Sequence, residues 1–189
     1  MATGRMTEHF LAHEQVVRAS LAELDAVSES VAAAIVYCLK GGGKVLAFGN
    51  GGSATQASHL AGELIGRYSR DRQPLPALAL MADAGSVTCI ANDFGYGAIF
   101  ERQVEALVVA GDVAVGLTTS GKSENVLRGL AAAKRRGAVT VAMTGKAGLG
   151  GGGTADHLLR VPNTVTAHIQ EVHLMLIHAW CGSVDAAFT

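Results

Sequence analysis

The chain has 189 residues, enough for one domain with a sizeable core. Hydrophobic residues make up 49% of it and charged ones only 16%, with frequent glycine and few aromatics, which excludes a disordered chain and points to a compact α/β protein. A net charge of −1 with no basic block excludes a nucleic-acid surface and attraction to an anionic membrane.

From Thr7 to Lys40 apolar residues recur at helical spacing: Val17, Leu21 and Leu24, then Val31, Ile35 and Cys38. The stretch LDAVSES predicts a break into two helices, the second capped by Ser or Asp, and GGG at 41–43 ends the pattern. Strands and helices then alternate. KVLAFG (44–49) reads as a strand and SATQASHLAGELIGRYSR as a helix. PALALM (76–81) is a strand, and AGSVTCIAND and GAIFERQVEALVVA are helical. DVAVGL (112–117) is a strand, 123–136 a helix, and AVTVAMT (138–144) a strand. The glycine-rich GLGGGGT reads as a flexible connector to a short strand, HLLRVP. A long apolar helix runs from about Thr166 to Ala186. Five strands alternating with helices predict a parallel sheet covered on both faces, in a flavodoxin-like doubly wound fold, with ligands at the carboxyl ends of the strands. The expectation is a single domain over 1–189, with a helical part at 1–40 and an α/β core with the C-terminal helix at 44–189.

Cys38, Cys89 and Cys181 are far apart, odd in number and without a C-x-x-C pair, which predicts reduced, mostly buried thiols in a cytoplasmic protein. No basic N-terminus leads into an apolar segment, so no signal peptide is expected. The longest apolar run, VAAAIVYCL, is too short to span a bilayer.

Two loops lie between a strand and a helix. GNGGSAT (49–55) offers Asn50, Gly51, Gly52 and Ser53, and TTSGKS (118–123) offers Thr118, Thr119, Ser120 and Ser123. Small residues and hydroxyls at a helix N-terminus suit a phosphate, because free backbone N–H groups and the helix dipole meet it there. Gly116–Ser123 also matches G-x-x-x-x-G-K-S, the nucleotide phosphate loop. An NTPase reading lacks the acidic residue expected at the end of the next strand, AVTVAMT, and Gly116 falls inside a strand. GNGGSAT does not fit the dinucleotide G-x-G-x-x-G pattern.

The helix after the first loop carries an apolar side, Ala57, Leu60, Ala61, Leu64, Ile65 and Tyr68, and a polar stripe, Gln56, His59, Glu63 and Arg67. His59 and Glu63, at i and i+4, can reach one ion or one substrate, although a solvated helix face would look the same. The last helix is apolar almost all round, as in a buried subunit interface, yet holds His168, Gln170, Glu171, His173 and His178. Gln170 and His178 are on the order of 12 Å apart along the axis, and spacing pairs Glu171 with His178 slightly better.

The segments GNGGSATQASHLAGEL, ANDFGYGAIFERQVEA, TTSGKSENV, AMTGKAG and TAHIQEVHLMLIHAW, in this order over nearly the whole chain, resemble a sugar-isomerase (SIS) domain. More narrowly they resemble the bacterial phosphoheptose isomerases, which act on sedoheptulose 7-phosphate. The resemblance implies that the second loop holds a sugar phosphate, and that one Zn²⁺ per active site is bound by His59, Glu63, Gln170 and His178. It implies Glu63 as base and His178 as its acid partner, with Gln170, Asn92 and Asp93 contacting the sugar, the last two in a loop. Arg67 is a weaker candidate for substrate or carboxylate pairing. It implies a homotetramer with active sites near subunit interfaces, and a heptose product for lipopolysaccharide or capsule. Lys122 departs from the family's usual small polar residue, and this departure creates the nucleotide-loop match. The rival within the family is a non-catalytic SIS module that binds a replication-initiation protein or senses a sugar phosphate. The retention of His59, Glu63, Gln170 and His178 argues for the enzyme.

Overall fold

The computed structural model describes residues 4–153 and 155–189. In chain order its elements are α1 (Arg5–Lys40), β1 (Val45–Gly49), α2 (Gly52–Ile65), β2 (Ala77–Ala79), α3 (Ala84–Phe94), a 3₁₀ turn at Tyr96–Ala98, α4 (Ile99–Leu107), β3 (Val113–Thr118), α5 (Glu124–Arg135), β4 (Val139–Thr144), β5 (His157–Arg160) and α6 (Thr166–Phe188). The strands form one sheet in the order β2-β1-β3-β4-β5, with every neighbouring pair parallel. This is the flavodoxin-like order expected from the alternation of strands and helices.

Alternation along each strand feeds two cores. Val45, Ala47, Val113, Val115, Leu117, Val141 and Met143 face one cluster, shared with α1, α2 and α6. Leu46, Phe48, Ala114 and Ala142 face the other, with Ile99, Phe100 and Val104 of α4 and Val126 and Leu130 of α5. Because both faces are covered, β1 and β3 are buried at every residue.

Several boundaries depart from the sequence reading. The N-terminal part is one unbroken helix. LDAVSES contains no glycine or proline, and the Ser30 hydroxyl donates back to the Ala26 carbonyl at 2.9 Å instead of capping a second helix. Leu24 and Val31 carry the same buried stripe across the expected break. Helix α2 stops at Ile65, where Gly66 follows, so Ile65 and Tyr68 are exposed and not part of the core. Asn92 and Asp93 lie in the last turn of α3, not in a loop, and no residue of α3 is buried.

GLGGGGT is not a free connector over its described residues. The Gly148 N–H donates to the Gly145 carbonyl, the Gly150 N–H to that of Gly121 at 2.9 Å, and Leu149 packs on the second core. Thr154 lies outside the described residues. Cys38 and Cys181 are buried and Cys89 is exposed, all as free thiols. Among the described residues no helix is long and apolar enough to cross a membrane.

Candidate active site

Strands β1 and β3 are neighbours, but the chain leaves them in opposite directions across the sheet, to β2 on one side and β4 on the other. A crevice opens at such a switch point, at the carboxyl ends of the strands. The two hydroxyl-rich loops follow these two strands, so the fold brings them side by side. Gly51, at φ +54, turns the first loop into α2, and Ser123 precedes α5. No side chain caps either helix, among the described residues.

The loops are joined by a reciprocal amide pair. Asn50 Nδ2 donates to Asn125 Oδ1 at 2.9 Å, and Asn125 Nδ2 donates to Asn50 Oδ1 at 2.8 Å. The Tyr96 hydroxyl donates to the same Asn50 oxygen at 2.9 Å. Asn50, expected as a substrate contact, thus uses its side chain to hold the two loops in register. Ser53 is buried against Gly49, where an added Cβ would lie 2.8 Å from the Ser53 Cβ. Thr118 and Ser123 share a hydroxyl hydrogen bond of 3.0 Å. Ser120 is exposed and accepts from the Lys122 N–H, and the Thr119 carbonyl accepts from the Gly145 N–H.

The residues of the nucleotide-loop pattern have packing roles. Gly116 lies inside β3, where a Cβ would come within 3.0 Å of Leu130. Gly121 has φ +68, and a Cβ there would fall 1.7 Å from the Gly148 carbonyl oxygen. Lys122 is exposed.

The polar stripe of α2 meets α6. His59 Nε2 lies 2.9 Å from His178 Nε2 and 3.2 Å from Glu63 Oε1. One ligand atom from each of the three falls within 4.8 Å of the others, and all three residues are partly open to solvent. Two imidazole nitrogens and a carboxylate oxygen aimed at one point fit a zinc ion, whose tetrahedral ligands stand about 3.3 Å apart. Tyr68 stacks on the His178 ring at 5.4 Å between centroids.

Gln170 lies elsewhere on α6 and touches the first loop. A Cβ on Gly52 would sit 2.6 Å from Gln170 Nε2, so only glycine permits that approach. The Gln170 carbonyl accepts from Gln56 Nε2 at 2.6 Å, which ties α2 to α6. Glu171, which axial spacing favours as a partner of His178, instead faces α1, with Oε1 2.7 Å from His9 Nε2. His173 is fully buried, with Nε2 3.3 Å from the Thr144 carbonyl, and burial pushes its imidazole down to about 4. Asn92 and Asp93 hydrogen bond to each other at 2.7 Å on the exposed end of α3. Arg67, beyond the end of α2, is exposed.

A buried ion pair beside the cluster escapes the sequence reading. Arg72 Nε donates to Asp185 Oδ1 at 2.8 Å, and both side chains are buried. The guanidinium also donates to the carbonyls of Glu63 and Leu64, closing the C-terminal end of α2. Burial pushes the Asp185 carboxyl up, but the Ser69 and Arg70 N–H groups and Arg72 outweigh it and hold it at about 2. The pair therefore fixes the turn that carries Glu63 against the helix that carries His178. An acid inside an apolar helix was the available signal for Asp185. Burial first, then the charges of Glu63 and Asp185, push the Cys181 thiol up to about 12.

Residues 9–145 match the SIS domain family. The chain is 52% identical over 155 residues to a phosphoheptose isomerase of Aquifex aeolicus, an overlap of 82% of this chain and 81% of that one. The chain belongs to the SIS-domain family, among the phosphoheptose isomerases. Its fold matches a phosphoheptose isomerase structure from Neisseria gonorrhoeae with a TM-score of 0.88 at 39% identity, over 96% of this chain and 97% of that one. A phosphoheptose isomerase from Francisella tularensis matches with a TM-score of 0.89 at 35% identity, over the same shares.

Proposed function

We propose that this protein interconverts sedoheptulose 7-phosphate and D-glycero-D-manno-heptose 7-phosphate through a cis-enediol, with Glu63 and His178 as the acid–base pair. The observation that carries this reading is the convergence of His59, Glu63 and His178 beside two hydroxyl-rich loops at one switch point. The phosphate sits on the loops, held by backbone N–H groups at the starts of α2 and α5 and by the hydroxyls of Ser53, Thr118, Thr119, Ser120 and Ser123. Gln170, packed over Gly52, is the side chain that links this anchor to the reacting end. Asn92 and Asp93 are reserved for the sugar hydroxyls.

In the ketose-to-aldose direction Glu63 removes the proton from C1, and His178 protonates the carbonyl oxygen on C2, giving the enediol. His178 then takes the proton from the C1 hydroxyl, and Glu63 returns a proton to C2. Glu63 turns Oε1 to His59, which leaves Oε2 for the carbon-bound proton. His59, Glu63 and His178 are the residues whose ligand atoms converge to hold zinc, and the family resemblance adds Gln170 as a fourth, oxygen donor. The chemistry such an ion supplies when bound is polarisation of the substrate carbonyl. The product is a heptose phosphate of the kind used for lipopolysaccharide or capsule, and the active unit is a homotetramer with the sites near its subunit interfaces.

The test is to incubate the purified protein with sedoheptulose 7-phosphate and follow appearance of the aldose. Turnover that falls on chelation and returns with zinc is the expected result. No aldose under zinc-replete conditions refutes the reading, and full activity of metal-free protein removes the zinc from it.

A further inference from the structure

Away from the loops, where the N-terminal turns of α1 cross α6, a second group of metal-ligating side chains surrounds one carboxylate. His9 Nε2 lies 2.7 Å from Glu171 Oε1, while His13 Nδ1 and His168 Nδ1 lie 2.9 and 3.1 Å from Oε2. Ligand atoms of His9, His168 and Glu171 all fall within 4.8 Å of one another. The spacings are those that chelate from a helix face: His9 and His13 at i and i+4 on α1, His168 and Glu171 at i and i+3 on α6. Glu171 pairs with His9, His13 and His168 and shares no ligand with His59, Glu63 and His178, so the two groups are separate.

We propose that His9, His13, His168 and Glu171 form a second divalent transition-metal site, zinc being the fitting ion, that staples the start of α1 to α6. Three observations carry it. The His13 Nδ1 atom is buried and has no hydrogen-bond partner, although a carboxylate oxygen is 2.9 Å away. A buried imidazole nitrogen that neither donates nor accepts a hydrogen bond here is a group that an ion at the cluster would satisfy. The His168 side chain is only 8% exposed, and its ring is 4.6 Å from that of His9 and 5.6 Å from that of His13. Charging all three rings would crowd three imidazoliums on one carboxylate, whereas one dication leaves the rings neutral. Third, no described residue of α1 before Val16 is buried, so this end of the helix lacks a packed apolar anchor of its own.

His9, His168 and Glu171 supply three ligand atoms within 4.8 Å of one another, and His13 Nδ1, 2.9 Å from Glu171 Oε2, is the candidate for the fourth position of a tetrahedral zinc shell. Tetrahedral ligands at zinc stand about 3.3 Å apart, and the three imidazole nitrogens here lie 2.7, 2.9 and 3.1 Å from the carboxylate oxygens.

The experiment isolates this site from the first. Full-length His59→Ala/His178→Ala protein is stripped of metal and dialysed against zinc, and bound zinc per chain is measured. One equivalent is expected, and adding His9→Ala and His13→Ala should remove it or weaken it at least about a hundredfold. His9 is exposed and His13 partly so, so these changes leave the core intact, which circular dichroism checks. As a second readout, cobalt should give the visible absorption of a tetrahedral complex in the first variant and lose it in the fourfold one. If the His59→Ala/His178→Ala protein binds no zinc, or the fourfold variant binds it within twofold as tightly, the proposal is wrong. Wild-type protein that binds one equivalent through His9 and His13 alone would instead count against zinc at His59, leaving this site standing.

Discussion

At the residue scale the proposed chemistry rests on three side chains from two helices. Glu63 reaches His59 along α2, and His178 arrives from α6 to bring its Nε2 2.9 Å from that of His59. Glu63→Gln and His178→Gln should each lower turnover of sedoheptulose 7-phosphate at least about a hundredfold, because each removes one of the two proposed proton-transfer groups. Their circular dichroism and melting profiles should match the unaltered protein, since both side chains are partly open to solvent. Lys122 supplies the contrast. It completes a nucleotide-loop pattern, yet it is exposed and the pattern's glycines are held by Leu130 and Gly148. Lys122→Ala should therefore keep kcat/KM within about fivefold, the scale of one solvated charge, and titration of the protein with ATP and Mg²⁺ should show no binding.

At the scale of elements, the Arg72–Asp185 pair decides how α2 sits on α6. Asp185→Asn leaves a buried guanidinium without its counter-charge and should destabilise the fold by about 3–5 kcal/mol at neutral pH, read from urea unfolding. The same groups set the acid limit. His173, pushed down from 6.5 to about 4, takes up its proton more readily when unfolded, so stability falls as pH drops through that interval. Asp185, held at about 2 against an ordinary 3.8, stabilises the fold above pH 3.8 and loses that contribution as pH falls toward 2. Asp156 behaves the same way: burial raises it, but Thr140 and Lys134 hold it at about 2. A stability profile from pH 7 to 2 should thus fall in two steps, and Asp185→Asn should shrink the lower one while leaving the upper.

At the scale of the whole molecule, α1 and α6 present apolar surface to solvent. Met6, Phe10, Leu11 and Leu21 on α1 and Met175 on α6 are exposed. Leu24 and Val172 on the same helices are buried within the chain, so the outer residues form a second apolar face that this fold does not itself cover. The homotetramer proposed above, closing over this face, should release smaller species when Phe10 and Leu21 are both changed to Asp, as measured by light scattering. An unchanged mass would move the interface elsewhere.

The alternation of apolar runs with helical repeats pointed to five parallel strands and the two loops at strand ends, because those signals are local and periodic, whereas the flavodoxin-like order came by analogy from the number of strands. His59 with Glu63 was legible for the same reason, being four residues apart on one helix. What tertiary structure decided involves partners far apart in the chain, for which no period exists. It kept α1 whole across LDAVSES, because its buried stripe continues. It paired Asn50 with Asn125, and Arg72 with Asp185. It brought His178 to His59 and gave Glu171, two turns earlier on nearly the same face, to His9 instead. Helix geometry fixes the angle between successive side chains, but only packing against α1 and α2 decides which direction each of those angles faces.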